Sequence, residues 1–475
     1  MRPTHHWLAL TGLIIVPLPL RVWLASAAGL APDEAYYWTW SRRLALGYLD
    51  HPPMVAWLIR ASTAMGGDSA LAVRAPAVVL GGVVLPIAVY WLAREAGVKP
   101  TLALLLPLAT LVQPLGLAAG LLVTPDVPLL VAWTACGAAL LRGVRTGAAW
   151  SWLAAGLTLG VALLSKHSAW LLLASAAVGL AAVPAGRARL KGPWPWLGLV
   201  VALAVASPNL RWDGARGFPS LLFQLRHGLE PSDPLRAPLR LLELAGAQIG
   251  LLTPLPAWAA WRFLRRRPDA LEVRLLRVLA LAPLAVFGVA ALLADAEANW
   301  PAPTHPLLLA GAVVWLQTRP DDERSGASRP GWTACAVGSS ALVTGLAVVH
   351  LLAPLPFVPV DVEPAARLRA WDDLPEWLLE NDRRIVADGY DLAAELTYHL
   401  PGHPPVADGR RDGVRIVGTV VVASSPGYRW PEVPAWAAGG GRCMVPVGEH
   451  RMRREDGRAV RTLRGFRVVA CDERR

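Results

Sequence analysis

The stretch Pro32 to Pro53, PDEAYYWTWSRRLALGYLDHPP, brings two acids, Asp33 and Glu34, close to a second acid and an imidazole, Asp50 and His51. A carboxylate in a partly dry site takes a proton from an incoming hydroxyl or ligates a metal. The same Pro-Asp-Glu run ahead of AYYWTW also reads as a helix start. Asp50 and His51 ahead of Pro52-Pro53 are a set able to ligate a divalent cation at the head of MVAWLIRAS. Taken alone, that tetrad fits a capped interfacial helix with a solvated histidine better. Asp126, in TPDVPLL, is either a further acid or the N-cap of the apolar run it opens. Lys166, in LLSKHSAW, stands between two apolar runs and calls for an anionic partner, for which a phosphate is the natural chemistry. Arg211, Arg226 and His227 follow in NLRWDGARGFPSLLFQLRHGLE, a stretch that also suits an amphipathic loop on the membrane surface. Asn299 and His305, around NWPAP, close the series, and Trp300 and Pro301 there suit an interfacial turn as well.

These groups sit in an apolar chain. Of its 475 residues 54% are hydrophobic and 17% charged, against about 25% charged in globular chains. Runs approaching bilayer thickness fall near 7–28, 71–93, 101–119, 126–141, 149–165, 168–186, 194–208, 239–261, 276–294, 303–317 and 332–353, which predicts about eleven transmembrane helices. Arg21 interrupts the first run, which is expected to be a retained helix rather than a signal peptide. The net charge of +11 does not indicate nucleic acid, because much of the Arg and Lys lies in short clusters between the runs and no nucleic-acid motif is present. Many of the 22 Trp flank the runs, where amphipathic rings favour the interface.

Arg94 and Lys99, Arg142 and Arg145, Arg187 to Lys191, Arg262 to Arg267, and Arg319 with Arg324 each follow an even-numbered run. With Arg2 they share one side, the cytoplasmic one. Every candidate group then falls on the opposite side, although five stretches spread over about 270 residues supply them. The predicted architecture is therefore mainly α: a multi-pass module over 1–355 with extracytoplasmic loops at about 29–70 and 209–238. A small soluble α/β domain over 360–475 follows, also extracytoplasmic, with helices over Pro364 to Glu380 and Asp391 to His399 and strands near 384–388, 414–423 and 463–470. Of four cysteines, Cys136 and Cys335 lie in apolar runs, and Cys443 and Cys471 lie in the tail, where one disulfide is open to them.

DEAYYWTWS, GYLDHPPMVAWLI, TPDVPLL, LLSKHSAW and EANWPAP, in this order between apolar runs, resemble the bacterial family 39 glycosyltransferases of the GT-C type. These are relatives of protein O-mannosyltransferases and of the enzymes that add aminoarabinose or galacturonic acid to lipid A. The resemblance covers roughly residues 7 to 320. It implies that Asp33 is the catalytic carboxylate with Glu34 beside it, that Asp126 is a second acid, and that Lys166, helped by Arg211 or Arg226, holds the phosphate of a lipid-linked donor. Asp50 matches a metal-binding acid of the aminoarabinose enzymes and His227 its distant partner. His51 stands where that group has a lysine, so no phosphate role carries over to it. Tyr36, Tyr37, Asn299 and His305 are expected to line the cavity. The implied function is inverting transfer of a sugar from a polyprenyl-phosphate donor to an envelope glycolipid, polymer or protein, at the outer face of a bacterial cytoplasmic membrane. No nucleotide is needed, and a divalent metal is the one cofactor the residues allow. The alternative from a different class is a transporter or lipid flippase, but the polar groups lie on one face and no internal repeat is visible.

Overall fold

The computed structural model describes residues 3–227, 233–266, 270–318, 329–353, 355, 358, 368, 371, 373–379, 385–408, 420–426, 442–453 and 459–470. The chain is mainly helical, and each of the eleven apolar runs falls on one helix or on consecutive pieces of helix. Among the described residues five helices, His5–Ala27, Ala70–Glu95, Asp126–Thr146, Leu271–Leu293 and Pro330–Leu352, are long and apolar enough to cross a membrane. Others are broken, and three of the breaks share a cause. Gln113 (ψ 152°), Val183 (ψ 134°) and Thr253 (ψ 151°) each precede a proline, whose ring pushes its neighbour out of the helical region. At Val183 the pieces Ala169–Ala182 and Pro184–Leu190 bend by 108°. A break exposes carbonyls that hydrocarbon cannot satisfy. Arg21, the charge inside the first run, answers one break: it is buried and donates to the carbonyls of Gly116 (3.0 Å) and Leu111 (3.4 Å). Gly120 makes room for it, since a Cβ there would stand 1.7 Å from the Arg21 Nη1.

The chain divides into two compact units. The first comprises Met1–Trp23, Leu44–Leu58 and Arg74–Ala347. Its core runs along the helices, with Leu92, Leu129, Trp133, Leu141, Leu275 and Leu307 almost wholly buried. Helix Asp126–Thr146, about 30 Å long at 1.5 Å per residue, orders its two ends. At the C-terminal end the basic clusters meet: Glu95 accepts from Arg142 (2.9 Å) and Arg145, Arg189 Nε donates to the Val144 carbonyl (3.2 Å), and Gln317 bridges the Lys99 N–H and the Gly97 carbonyl. The N-terminal end carries Asp126.

The second unit comprises Leu24–Arg43, Ile59–Val73 and Val348–Arg475. Its sheet has strands β1 (Ile385–Ala387), β2 (Ala407–Asp408), β3 (Val420–Pro426), β4 (Arg442–Arg453) and β5 (Ala459–Ala470), in the order β2-β1-β3-β5-β4. β1 pairs in parallel with β2 and β3; β5 pairs antiparallel with β3 and β4. The strands predicted near 384–388 and 463–470 are present, the described part of 414–423 lies in β3, and the helix predicted over 391–399 is Tyr390–His399. β4 had no signal: RCMVPVGEHRMR carries a proline, a glycine and charges, and its pairing is interrupted by a register shift between Pro446 and Gly448. Of the helix predicted over Pro364 to Glu380, residues 364–367, 369–370, 372 and 380 lie outside the described residues, as do Cys471 and the side chain of Cys443; the described part is α-helical at Glu376–Leu379 and not at 373–375. Helix Pro32–Arg42 packs on Tyr390–His399 through ring pairs Tyr36–Tyr390 (4.7 Å) and Trp38–Tyr398 (5.0 Å). Asp68 ties the same corner, accepting from Trp38 Nε1 and Arg42 Nη1 (2.9 Å each) while its carbonyl accepts from the Tyr398 hydroxyl (2.7 Å).

Tyr390–His399 also carries Glu395, fully buried and held bidentately by Arg461 (2.7 and 3.3 Å). His399 stacks on Trp371 at 4.4 Å. Burial first, and then the charges of Arg461 and His403, push its imidazole down to about 3, so it folds neutral. Between its unfolded value of about 6.5 and that depressed value the unfolded chain binds a proton the folded one does not. Stability in this unit is thus fully present above about pH 6.5 and falls as pH falls toward 3. His399→Gln is expected to flatten that loss. Hydrogen exchange of β3 and β5 at pH 7 and pH 4.5 measures it, and an unchanged acid response in the variant would contradict the assignment.

Candidate active site

Lys166 follows helix Ala149–Ser165 in extended conformation (φ −154°, ψ 145°), so its side chain leaves the helix axis. It is buried, and a buried ammonium requires an anionic partner. Asp126 supplies it: Nζ lies 2.8 Å from Oδ1 and 3.1 Å from Oδ2. Asn299 Nδ2 donates to the same Oδ2 at 3.0 Å. The carboxylate does not cap its own helix, since Asp126–Thr146 has Pro125 at its N-cap and no side-chain cap bond there. Asp126, Lys166 and Asn299, from three separate connections, thus form one cluster at the end of the bundle opposite the Arg142, Arg145 and Glu95 network.

A second chain of bonds starts one residue away. His167 Nε2 lies 2.7 Å from Ser220 Oγ, the Ser220 N–H donates to Asp213 Oδ1 (2.9 Å), and the Leu221 N–H donates to Asp213 Oδ2 (3.3 Å). Asp213 thereby caps helix Pro219–His227, whose Gln224 Nε2 reaches the Asp50 carbonyl at 2.6 Å. Burial pushes the His167 imidazole down to about 4 against the pull of Asp213, so it acts as a neutral hydrogen-bonding partner. Ser220 and Gln224 are site residues that the sequence did not single out. They belong to no motif, and only the turn through Gly217 (φ 77°) and Phe218 (φ 61°) brings them in. His305 is buried at the head of helix His305–Thr318, its Nε2 2.8 Å from Gln248 Oε1, while Gln248 Nε2 reaches the Ala298 carbonyl (3.0 Å). Arg211 and Arg226 are exposed.

Asp50 is buried and His51 half-buried. Helix Met54–Gly66 begins just beyond Pro53, as the sequence predicts. The side chain of His227 lies outside the described residues. Among the described residues, no three His, Cys, Asp or Glu side chains come together as a metal would require.

The acids that open the sequence lie in the second unit, on helix Pro32–Arg42, in different surroundings. Glu34 is fully buried and its Oε2 accepts from the Ala31 N–H at 2.9 Å, the reciprocal half of a capping box. Asp33 is exposed. Tyr37 is buried and Tyr36 partly so, within the ring cluster of Trp40 and Tyr390.

Residues 50–212 match the model of the dolichyl-phosphate-mannose-protein mannosyltransferase family. That segment holds Asp50, Asp126, Lys166 and Arg211 and leaves Asp33 before it. A lipid A galacturonosyltransferase, RgtD, of Rhizobium johnstonii is 29% identical over 322 residues, 64% of this chain and 65% of that protein; the chain thus spans just under two thirds of this relative's length. Among solved structures, ArnT from Cupriavidus metallidurans matches over 97% of this chain and 98% of its own, with a TM-score of 0.62 at 17% identity. The same protein bound to undecaprenyl phosphate gives 0.61. The archaeal oligosaccharyltransferase AglB from Archaeoglobus fulgidus matches over 89% of this chain and 70% of its own, with a TM-score of 0.51 at 12% identity. Motifs, family model and fold point the same way: the chain has the fold of ArnT and is similar to the dolichyl-phosphate-mannose-protein mannosyltransferases over residues 50–212 and to a lipid A galacturonosyltransferase over 322 residues.

Proposed function

We propose that the protein is an inverting glycosyltransferase that moves a sugar from a polyprenyl phosphate to a hydroxyl of an envelope glycolipid. The observation that carries this reading is Lys166, a buried lysine paired with Asp126, whose carboxylate also accepts from Asn299, at the end of the bundle away from the basic clusters. Its ammonium is a preformed grip for a phosphate at the membrane surface, where a polyprenyl donor presents its head group. Arg211 and Arg226, 45 and 60 residues further along the chain, add exposed cations. The relatives support the substrate class: RgtD acts on lipid A, and ArnT has been solved with undecaprenyl phosphate.

In this reading Asp33 takes the proton of the acceptor hydroxyl as its oxygen attacks the anomeric carbon. The new glycosidic bond forms while the bond from that carbon to the phosphate oxygen breaks, and the polyprenyl phosphate leaves with the electron pair. Lys166 stabilises the charge that develops on the leaving phosphate. Asp126, itself held by Asn299, keeps the ammonium in place beforehand, so no reorganisation is needed as charge develops. Glu34 serves by fixing the helix that presents Asp33. No step is routed through a metal.

The remaining assignments belong to the same proposal. The bundle crosses the bacterial cytoplasmic membrane about eleven times, with the basic clusters inside and the Asp126 and Lys166 cluster outside. Residues 1–355 form the membrane module and 360–475 an extracytoplasmic α/β domain. Single displacement inverts the anomeric centre, so NMR of the isolated product is expected to show the linkage opposite in configuration to that of the donor. Retention would contradict direct attack assisted by Asp33.

A further inference from the structure

The end of the bundle away from Lys166 carries a feature that sugar transfer does not use. Helices Pro100–Ala103, Leu105–Val112, His305–Thr318 and Arg329–Leu352 enclose a groove of about 410 Å³, walled by Leu102, Leu105, Leu108, Leu316 and Val337. A smaller cavity of about 50 Å³ adjoins it, sharing Leu105, Leu316, Thr333 and Val337 and reaching Trp332. Both are almost entirely apolar. In a bilayer such a slot takes hydrocarbon, because water there finds too few polar partners to stay.

The rim of the groove is cationic and aromatic. Leu316, in its wall, is followed by Gln317, which accepts from the Lys99 N–H (2.7 Å), and by Thr318, whose Oγ1 accepts from Arg266 Nη1 (2.7 Å). Trp258, Trp315 and Trp332 cluster at 5.2 to 6.3 Å, and the Arg262 guanidinium lies 5.5 Å from the Trp258 ring and 5.9 Å from that of Trp315. Lys99, Arg262 and Arg266 are exposed. Tryptophan with Lys and Arg beside an apolar slot is the chemistry that seats a lipid head group at the interface.

We infer that this groove holds an acyl chain of an anionic phospholipid whose phosphate rests on the rim formed by Lys99, Arg262 and Arg266. The site is separate from the donor site: Asn299, which binds Asp126 beside Lys166, lies just ahead of helix His305–Thr318, whereas Gln317 and Thr318 are its last residues.

The test is mass spectrometry of lipids retained by the full-length protein, purified in mild detergent after exposure to vesicles of equal phosphatidylglycerol and phosphatidylcholine content. About one phosphatidylglycerol per chain is expected, preferred about fivefold or more over phosphatidylcholine. Val337→Trp fills the groove and is expected to lower retention of both lipids severalfold. Lys99→Gln with Arg266→Gln, a surface change that leaves the core intact, is expected to abolish the head-group preference while the acyl slot still binds. Equal retention of the two lipids by the unmodified protein would overturn the proposal. So would an unchanged preference in the double variant, or displacement of the lipid by inorganic phosphate, which would mark a site for phosphate alone.

Discussion

Asp33→Asn is expected to lower kcat for sugar transfer by about 10²- to 10⁴-fold while leaving donor binding intact, the range general-base removal gives. The side chain keeps its shape, so the loss would be one of chemistry. Its neighbour is the control. Glu34 is fully buried, and its Oε2 accepts from the Ala31 N–H. Glu34→Gln keeps an oxygen for that bond and is expected to retain activity within severalfold. Glu34→Ala removes the cap and should cost about 1 kcal/mol of stability instead. Kinetics and thermal unfolding on the three variants separate the roles. A folded Glu34→Gln as inactive as Asp33→Asn would move the base from Asp33 to Glu34.

Lys166→Ala is expected to act twice. Losing a charged hydrogen bond to the donor phosphate costs about 1.5–3 kcal/mol, or roughly 10- to 150-fold in kcat/KM. The change also leaves the Asp126 carboxylate with Asn299 but without its cation, which lowers stability because half of a largely buried pair is worse than none. The two effects come apart in a double variant. With Asp126→Asn in the background, the added stability cost of losing Lys166 should be smaller than in the native chain, because neither charge then remains to be compensated. Activity should stay low. Thermal unfolding and donor titration across the four proteins measure both, and unchanged donor affinity in Lys166→Ala would remove the phosphate role.

How much of this was legible in the sequence depended on the range of the interaction. Each apolar run fell on helix, because hydrocarbon length is written locally, while the helices Met54–Gly66 and Pro219–His227 lie outside the runs. The breaks at Gln113, Val183 and Thr253 were equally local, each the residue before a proline, but run length alone passes over them. Lys166 stood out against the bias of the basic loops, and its need for an anion was clear. That the anion is Asp126, 40 residues earlier, was not: the acid read as a cap or a cavity wall until the fold joined the two. The 211–227 segment showed its charges, whereas Ser220 and Gln224, which tie it to His167 and to the Asp50 carbonyl, gave no compositional signal. The grouping of Leu24–Arg43 and Ile59–Val73 with the C-terminal sheet rests on ring pairs such as Trp38–Tyr398, separated by 360 residues in sequence and invisible to any periodicity.

The central claim is tested most directly by supplying the purified protein, in proteoliposomes, with a polyprenyl-phosphate sugar labelled in the sugar and with an extract of envelope glycolipids. The account predicts that label passes to a glycolipid in step with release of polyprenyl phosphate, and that Asp33→Asn stops both. Movement of the intact labelled donor across the bilayer with no new glycosidic product would contradict it and identify a lipid transporter instead.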